Sequence, residues 1–172
     1  TVLRQLLQYE PDTGKLFWKR RERYFFTSHK AFMSWNGKNA LKEAFTAKNG
    51  AGYFVGSLAG MTPRAHRVAW AIFYGEWPQG EIDHVNCDGY DNRISNLRIA
   101  TSSENKQNQR LKVTNTSGFK GVSWAKRERL WRAYASINGK QHCFGYFSEI
   151  DMAVKAHARG VAKLHGEFSR IR

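Results

Sequence analysis

Cysteine is almost missing from this 172-residue chain. Cys87 and Cys143 are too few for a disulfide framework and lack the paired spacing of a zinc site, so both are read as reduced thiols. Long apolar runs are missing too: the longest, Val68 to Tyr74, falls far short of the roughly 18 residues of a spanning helix. No charged-apolar-small leader opens the sequence, which sets the expectation of a cytoplasmic protein with no membrane partner. There is no internal repeat and no low-complexity tract. Acidic residues are scarce, 14 Asp and Glu against 28 Lys and Arg, and the resulting net charge of +14 needs a partner.

Aromatic residues are plentiful. Six Trp, eleven Phe and seven Tyr in a chain that is 41% hydrophobic supply more aromatic area than a disordered polycation carries, so the charge sits on folded surfaces. The length allows one ordinary domain or two small ones. Residues 106–172 hold 14 Lys and Arg and 4 Asp and Glu, a net of +10 that leaves +4 for residues 1–105. The basic C-terminal third therefore suits a polyanion, nucleic acid better than a membrane surface, because phosphate neutralisation releases counterions.

The pattern changes across Leu111-Lys-Val-Thr-Asn-Thr-Ser117, so the expected organisation is a domain over 1–110, a linker over 111–117 and a second domain over 118–172. In the first, Leu3, Leu6 and Leu7 start a short helix, Pro11-Asp12-Thr13-Gly14 forms a turn and Leu16-Phe17-Trp18 a strand. Residues 20–50 are rich in Lys, Arg and aromatics (Tyr24, Phe25, Phe26, Phe32, Trp35), read as a local hydrophobic cluster in preference to a DNA-facing insertion. A helix over Arg67–Tyr74 ends at Gly75. Strands follow at Ile82-Asp83-His84 and Leu97-Arg98-Ile99, with a helix opening at Thr101-Ser-Ser-Glu104, which has the form of a capping box.

Between Glu76 and Glu104 there are six acidic residues against Arg93 and Arg98, an acidic island in a basic protein. Carboxylates facing DNA phosphate can be kept to hold a divalent cation between the two. Asp88-Gly89 and Asp91-Asn92 are explained as ordinary turn formers. Asp83, His84, Asn96 and Asn105 fall instead on predicted strands and a helix. Phosphodiester hydrolysis needs a base for water, a Lewis acid and leaving-group stabilisation. His84 can be the base, Asp83 and the amide oxygen of Asn105 are hard ligands suited to Mg²⁺ or Mn²⁺, and Asn96 is an orienter bridging the strands. Asp83 and His84 are adjacent on one strand, so both reach one phosphate only if that strand is distorted. His66 reads equally as a hydrogen-bonded buried imidazole or a phosphate contact.

Ile82-Asp83-His84, Asn96-Leu97-Arg98 and Glu104-Asn105 together resemble the HNH motif of bacteriophage homing endonucleases, and His84 precedes Asn105 by 21 positions, a spacing compatible with that family's hairpin-plus-helix metal motif. The likeness continues upstream through Ala65-His66-Arg67-Val68-Ala69-Trp70 and Gly75-Glu76-Trp77-Pro78 to the Asp12-Thr13-Gly14 turn. It implies a ββα-metal core at about residues 80–110, with His84 activating water, Asp83 and Asn105 binding one Mg²⁺ for which Mn²⁺ substitutes, Asn96 structural and no zinc.

Residues 118–147 alternate as strands: Gly121–Trp124, Trp131–Ile137, a turn at Asn138-Gly139, and Gln141–Phe144. Trp131, Ala133, Ala135 and Ile137 share one face, Arg132, Tyr134 and Ser136 the other. Ser148-Glu-Ile-Asp151 opens a helix whose apolar positions Ile150, Ala153, Val154, Ala158, Val161 and Leu164 pack on the sheet. Such a sheet has one face left for a DNA groove. The segment resembles the APETALA2-type DNA-binding domain in Ser117-Gly118-Phe119-Lys120-Gly121-Val122, Trp131, Gly145-Tyr146-Phe147 and Lys163-Leu164-His165-Gly166. That resemblance implies DNA contacts from Lys120, Trp124, Arg127, Arg129, Arg132 and Tyr134. Ser123 stands where those domains usually carry a base-reading Arg, so their target sequence is not carried over.

The expectation is an α+β protein: an HNH ββα-metal nuclease region followed by a three-stranded antiparallel sheet packed on one helix. A monomer is expected, acting as a metal-dependent endonuclease on duplex DNA, and the resemblance implies phage origin and action in the host cytoplasm. The rivals are a DNA-binding regulator with an inactive HNH fold and an RNA-directed protein.

Overall fold

A computed structural model describes residues 2–109, 111, 114–137 and 139–165, with the backbone alone described at 107, 137, 164 and 165. Outside the described residues lie Lys112 and Val113 of the predicted linker, Asn138 of the predicted turn, the side chains of Ile137 and Leu164, and the predicted motif from the His165 side chain onward. The fold is mixed α and β, built from helices and small antiparallel sheets. It divides between Ile99 and Ala100 into two compact units, ahead of the polar stretch at 111–117.

The first unit opens with a short helix, α1 (Val2–Leu6), and a hairpin of β1 (Leu7–Glu10) and β2 (Lys15–Trp18). Leu7 and Tyr9 alternate inward and Gln8 outward, so the hairpin buries one face. Gly14 closes the turn at φ +74°, its N–H donating to the Glu10 carbonyl at 2.8 Å. A Cβ there would lie 2.5 Å from the Arg93 nitrogen, so only glycine lets the turn press against that backbone. A helix that local propensity does not announce, α2 (His29–Asn39), follows, capped by Ser28. Then come β3 (Glu43–Ala44), which extends the first hairpin, and the small hairpin of β4 (Ala47–Lys48) and β5 (Phe54–Val55).

Helix α3 (Ala65–Tyr74) begins two residues earlier than its apolar pattern and ends on left-handed Gly75, as expected. Its inner face carries Val68 and Ala69, both fully buried against Leu7, Leu16 and Leu58. Burying Leu7, Leu16 and Val68 stabilises the unit by roughly 1.5–3 kcal/mol each. Arg4 donates to the Ile72 and Phe73 carbonyls at the helix end, and Arg67 donates to the Pro78 and Gly80 carbonyls at 2.8 and 2.9 Å. These bonds aim the chain into β6 (Glu81–His84), which pairs with β7 (Leu97–Ala100).

In the second unit α4 (Ser102–Asn108) starts from the capping box the sequence announces: the Glu104 N–H donates to Thr101 Oγ1 and the Thr101 N–H to Glu104 Oε2. Residues of the expected linker are tied to the fold, Asn115 Nδ2 donating to the Phe119 carbonyl and Ser117 Oγ to the Val122 carbonyl at 2.7 Å. Strands β8 (Val122–Ala125), β9 (Leu130–Ile137) and β10 (Lys140–Phe147) form an antiparallel meander backed by α5 (Ile150–His165). Val122, Ala133 and Ala153 are its buried centre. The helix stripe also buries His157 and packs Gly160 against Phe144, positions that an apolar count passes over. No helix among the described residues is long and apolar enough to cross a membrane.

Candidate active site

The edge of β6 carries the residues singled out for chemistry. Asp83 and His84 are both buried, at 4% and 5% exposure, and their neighbours differ. The Asp83 carboxylate accepts from Arg98 on β7, Nε at 2.9 Å and Nη2 at 2.8 Å. The His84 ring instead meets Tyr53, His66 and Asn92. Adjacent strand residues serving separate partners is what a two-residue period dictates.

Asn92 holds the His84 ring. Its Oδ1 lies 3.2 Å from His84 Nε2; an amide oxygen only accepts, so this contact is a hydrogen bond in the tautomer with the hydrogen on Nε2, which leaves the basic lone pair on Nδ1. Asn92 is 3% exposed and its own carbonyl accepts from Tyr9 Oη at 2.7 Å. The Ile94 N–H donates to the Pro11 carbonyl at 3.0 Å, and the Gly14 turn abuts Asn92 and Arg93. The first hairpin thus backs the loop that orients His84. Reading Asn92 as a turn former misses this, because its ring-holding amide has no local sequence signal. The turn reading does hold for its neighbours, with Asp88 Oδ1 accepting from the Tyr90 N–H and Asp91 Oδ1 from the Arg93 N–H.

Asn96 works on the loop backbone. Its Oδ1 accepts from the Asn86 N–H at 3.0 Å, and its Nδ2 donates to Asn86 Oδ1 and to the Asp91 carbonyl at 2.8 Å. The Asn96 carbonyl accepts from the Val85 N–H, immediately after His84. Its amide therefore fixes the chain leaving His84, while the ring itself is held by Asn92.

Burial lowers the His84 pKa, opposed by the Asn92 hydrogen bond and the nearby carboxylates of Asp83, Asp88 and Asp91, so the ring is neutral at pH 7. His66, in the first turn of α3, is held down to about 3 by burial, then by the charges of His84, Arg64 and Arg67. Its ring meets His84 edge-on at 4.9 Å and Tyr53 at 5.0 Å, and its buried Nδ1 has no hydrogen-bond partner among the described residues. It is buried, as one reading of it required, without the bond at Nδ1 that such an imidazole usually has. Tyr53, absent from the sequence reading, is set beside Gly89, where a Cβ would lie 2.2 Å from the Gly52 carbonyl oxygen.

Among the described residues no group of three or more His, Cys, Asp or Glu is gathered in a way that could hold a metal. A carboxylate accepts at about four lone-pair sites, so Asp83 has the chemistry to serve a hard cation as well as Arg98. Asn105 lies on α4 in the second unit, half-buried, its N–H donating to the Thr101 carbonyl.

The DNA-contact candidates all lie in that unit. Register pairs Ser123 with Arg132 and Tyr146, and Tyr134 with Cys143, on the face opposite Val122 and Ala133. Arg132 stacks over Tyr134 at 5.0 Å and donates to Gln141. Arg127 and Arg129 are exposed in the β8–β9 turn. Trp124 pairs with Trp131, which puts it on the other face, edge-on to Trp131 and 44% exposed. Lys120 Nζ donates to the Gln109 carbonyl.

Helix α3, the buried Asp-His strand, the Asn-held loop and most of helix α4 fall within residues 64–107, a segment that matches the HNH endonuclease family. It is similar to Protein 3.8 of Escherichia phage T7, 36% identical over 111 residues that cover 64% of this chain and 91% of that protein. No solved structure matches the chain.

Proposed function

We propose that this protein is a metal-dependent endonuclease that hydrolyses phosphodiester bonds in duplex DNA, with His84 as general base. The observation that carries the reading is the ring of His84, buried, neutral at pH 7 and held through Nε2 by Asn92 within the segment that matches the HNH endonuclease family. A neutral imidazole whose lone pair is on Nδ1 takes a proton from water as the water attacks phosphorus. Asn92 then stabilises the protonated ring, and Asn96 keeps the chain beyond His84 in register. Asp83, and Asn105 by its place in the sequence motif, are the proposed ligands of one Mg²⁺, with Mn²⁺ as substitute. The bound ion would supply Lewis-acid stabilisation of the scissile phosphate.

The homing character, phage origin, cytoplasmic location and monomeric state belong to the same proposal, as does an APETALA2-type role for the second unit with Arg132, Tyr134, Arg127, Arg129 and Lys120 at DNA; Trp124, on the opposite face of the sheet, is left out of that surface. The meander backed by α5, with Arg132 and Tyr134 on its open face, supports that role. One observation favours the rival, a DNA-binding regulator with an inactive HNH fold: the Asp83 carboxylate is already ion-paired with Arg98. Supercoiled plasmid incubated with the protein and Mg²⁺, Mn²⁺ or EDTA, beside His84→Ala, separates the two. Cutting that needs both metal and His84 supports the nuclease; tight binding with no cutting on a varied DNA set supports the regulator.

A further inference from the structure

The basic, aromatic segment 19–42 remains unused by this chemistry. It holds seven Lys and Arg and one Glu, a net of +6, against +5 for residues 1–99 as a whole, so the rest of the first unit carries −1. The excess positive charge of that unit is all here. Its aromatics fall into two groups. Phe26, Phe32, Trp35 and Trp18 form a half-buried string, with ring centroids 5.7–6.0 Å apart, and the Arg21 guanidinium lies 3.8 Å from the Trp35 ring centroid. Asn36 clamps the loop to α2, accepting from the Arg21 N–H at 2.9 Å and donating to the Arg21 carbonyl at 3.0 Å. Tyr24 and Phe25 stand outside that string on a single 3₁₀ turn, stacked on each other at 4.4 Å and exposed at 74% and 36%. A rigid support thus presents two apolar rings to water beside Arg20, Arg23 and Lys30, all exposed. The cluster reading therefore describes the support, while the tip lies largely outside it, Tyr24 most of all.

We propose that this segment is a DNA-contacting surface on the nuclease unit, in which Tyr24 and Phe25 wedge against base steps in a groove while Arg20, Arg23 and Lys30 take the flanking phosphates. Charge complementarity selects a polyanion, and a stiff aromatic tip adds apolar contact with bases that a purely electrostatic patch lacks. The surface rests on the DNA reading of the protein but not on its catalysis.

The test uses the full chain in a His84→Ala background and a labelled 40-bp duplex, titrated from low to moderate salt. Tyr24→Ser with Phe25→Ser is expected to weaken binding roughly tenfold with an unchanged salt slope. Arg20→Gln, Arg23→Gln and Lys30→Gln together are expected to lower that slope by about 2 to 3. Thermal unfolding of each variant separates lost contact from lost fold. Changes under twofold in both variants overturn the proposal, and so does a larger loss on single-stranded DNA or RNA than on duplex. If the parent chain never cuts plasmid yet the tip variant binds duplex tenfold more weakly, the nuclease reading fails and this surface stands.

Discussion

The loop around His84 and the open face of the C-terminal meander use opposite physics. Around His84 the polar side chains are buried: Asp83, His84, Asn92 and Asn96 are all under 7% exposed, and each is hydrogen-bonded. On the meander Arg127 and Arg129 are exposed at a turn, while Arg132 is half-buried on the open face. Burial fixes orientation and protonation state, which a reacting group needs. Exposure keeps positive charge available to phosphate, where precise orientation matters less. A residue's surroundings therefore predict which measurable quantity it controls, rate for the first group and affinity for the second.

The sharpest test of that division is His84→Ala. Loss of the base is expected to slow single-turnover cutting by about 10²–10⁴-fold, with the dissociation constant for duplex DNA within twofold of the parent. Equal losses in both would erase the distinction. Asn92→Ala should come next, slowing cutting by about tenfold or more while binding holds, because the ring loses its anchor at Nε2. The substitution Gly14→Ala carries the comparison out to the supporting hairpin: a Cβ 2.5 Å from the Arg93 nitrogen, at positive φ, should cost about 1–3 kcal/mol in chemical denaturation. Cutting should fall with it.

Acid probes the buried region through its histidines. His66 has a folded pKa of about 3, below its unfolded value near 6.5, so the unfolded chain binds the proton first and stability falls as pH drops through 6.5. Between pH 7 and pH 5 the loss from this group is about 2 kcal/mol, and His66→Phe should flatten that part of the curve. His84 adds a loss of the same sign. The smallest effect belongs to the open face. Arg132→Gln is expected to weaken duplex binding severalfold and lower the salt slope by about 1, leaving the cutting rate of bound DNA unchanged.

Sequence alone makes some of this legible. Local signals end α3 at Gly75, start α4 at the Thr101 capping box and lay out the β8–β9–β10 meander with α5 behind it, because caps, periodicity and alternation are written within a few residues. Helix α2 escapes such reading: Asn36, Gly37 and Asn39 are poor helix formers, and its hold on the fold comes from Trp35 against Trp18 and Asn36 against Arg21, contacts some fifteen positions away or more. Asn92 escapes for the same reason. It looks like its turn-forming neighbours until Tyr9, 83 positions earlier, is seen to hold its backbone. The candidate pair Asp83 and His84 is legible as residue types in a motif, whereas the division of labour between Asn92 and Asn96 becomes visible only in three dimensions.

The bond from Tyr9 to the carbonyl of Asn92 also sets an order of events during synthesis. The hairpin that backs the loop is made first, and its Tyr9 must wait for 83 further residues before its partner exists. Contacts across so long a loop close late, since chain entropy opposes them until nearby elements have formed. A ribosome that stops before residue 92 releases the hairpin without the asparagine it supports, and a chain lacking its first strand keeps His84 without its backing. The arrangement ties the candidate site to completion of the whole first unit, so that partial products of translation carry the motif residues in no fixed order.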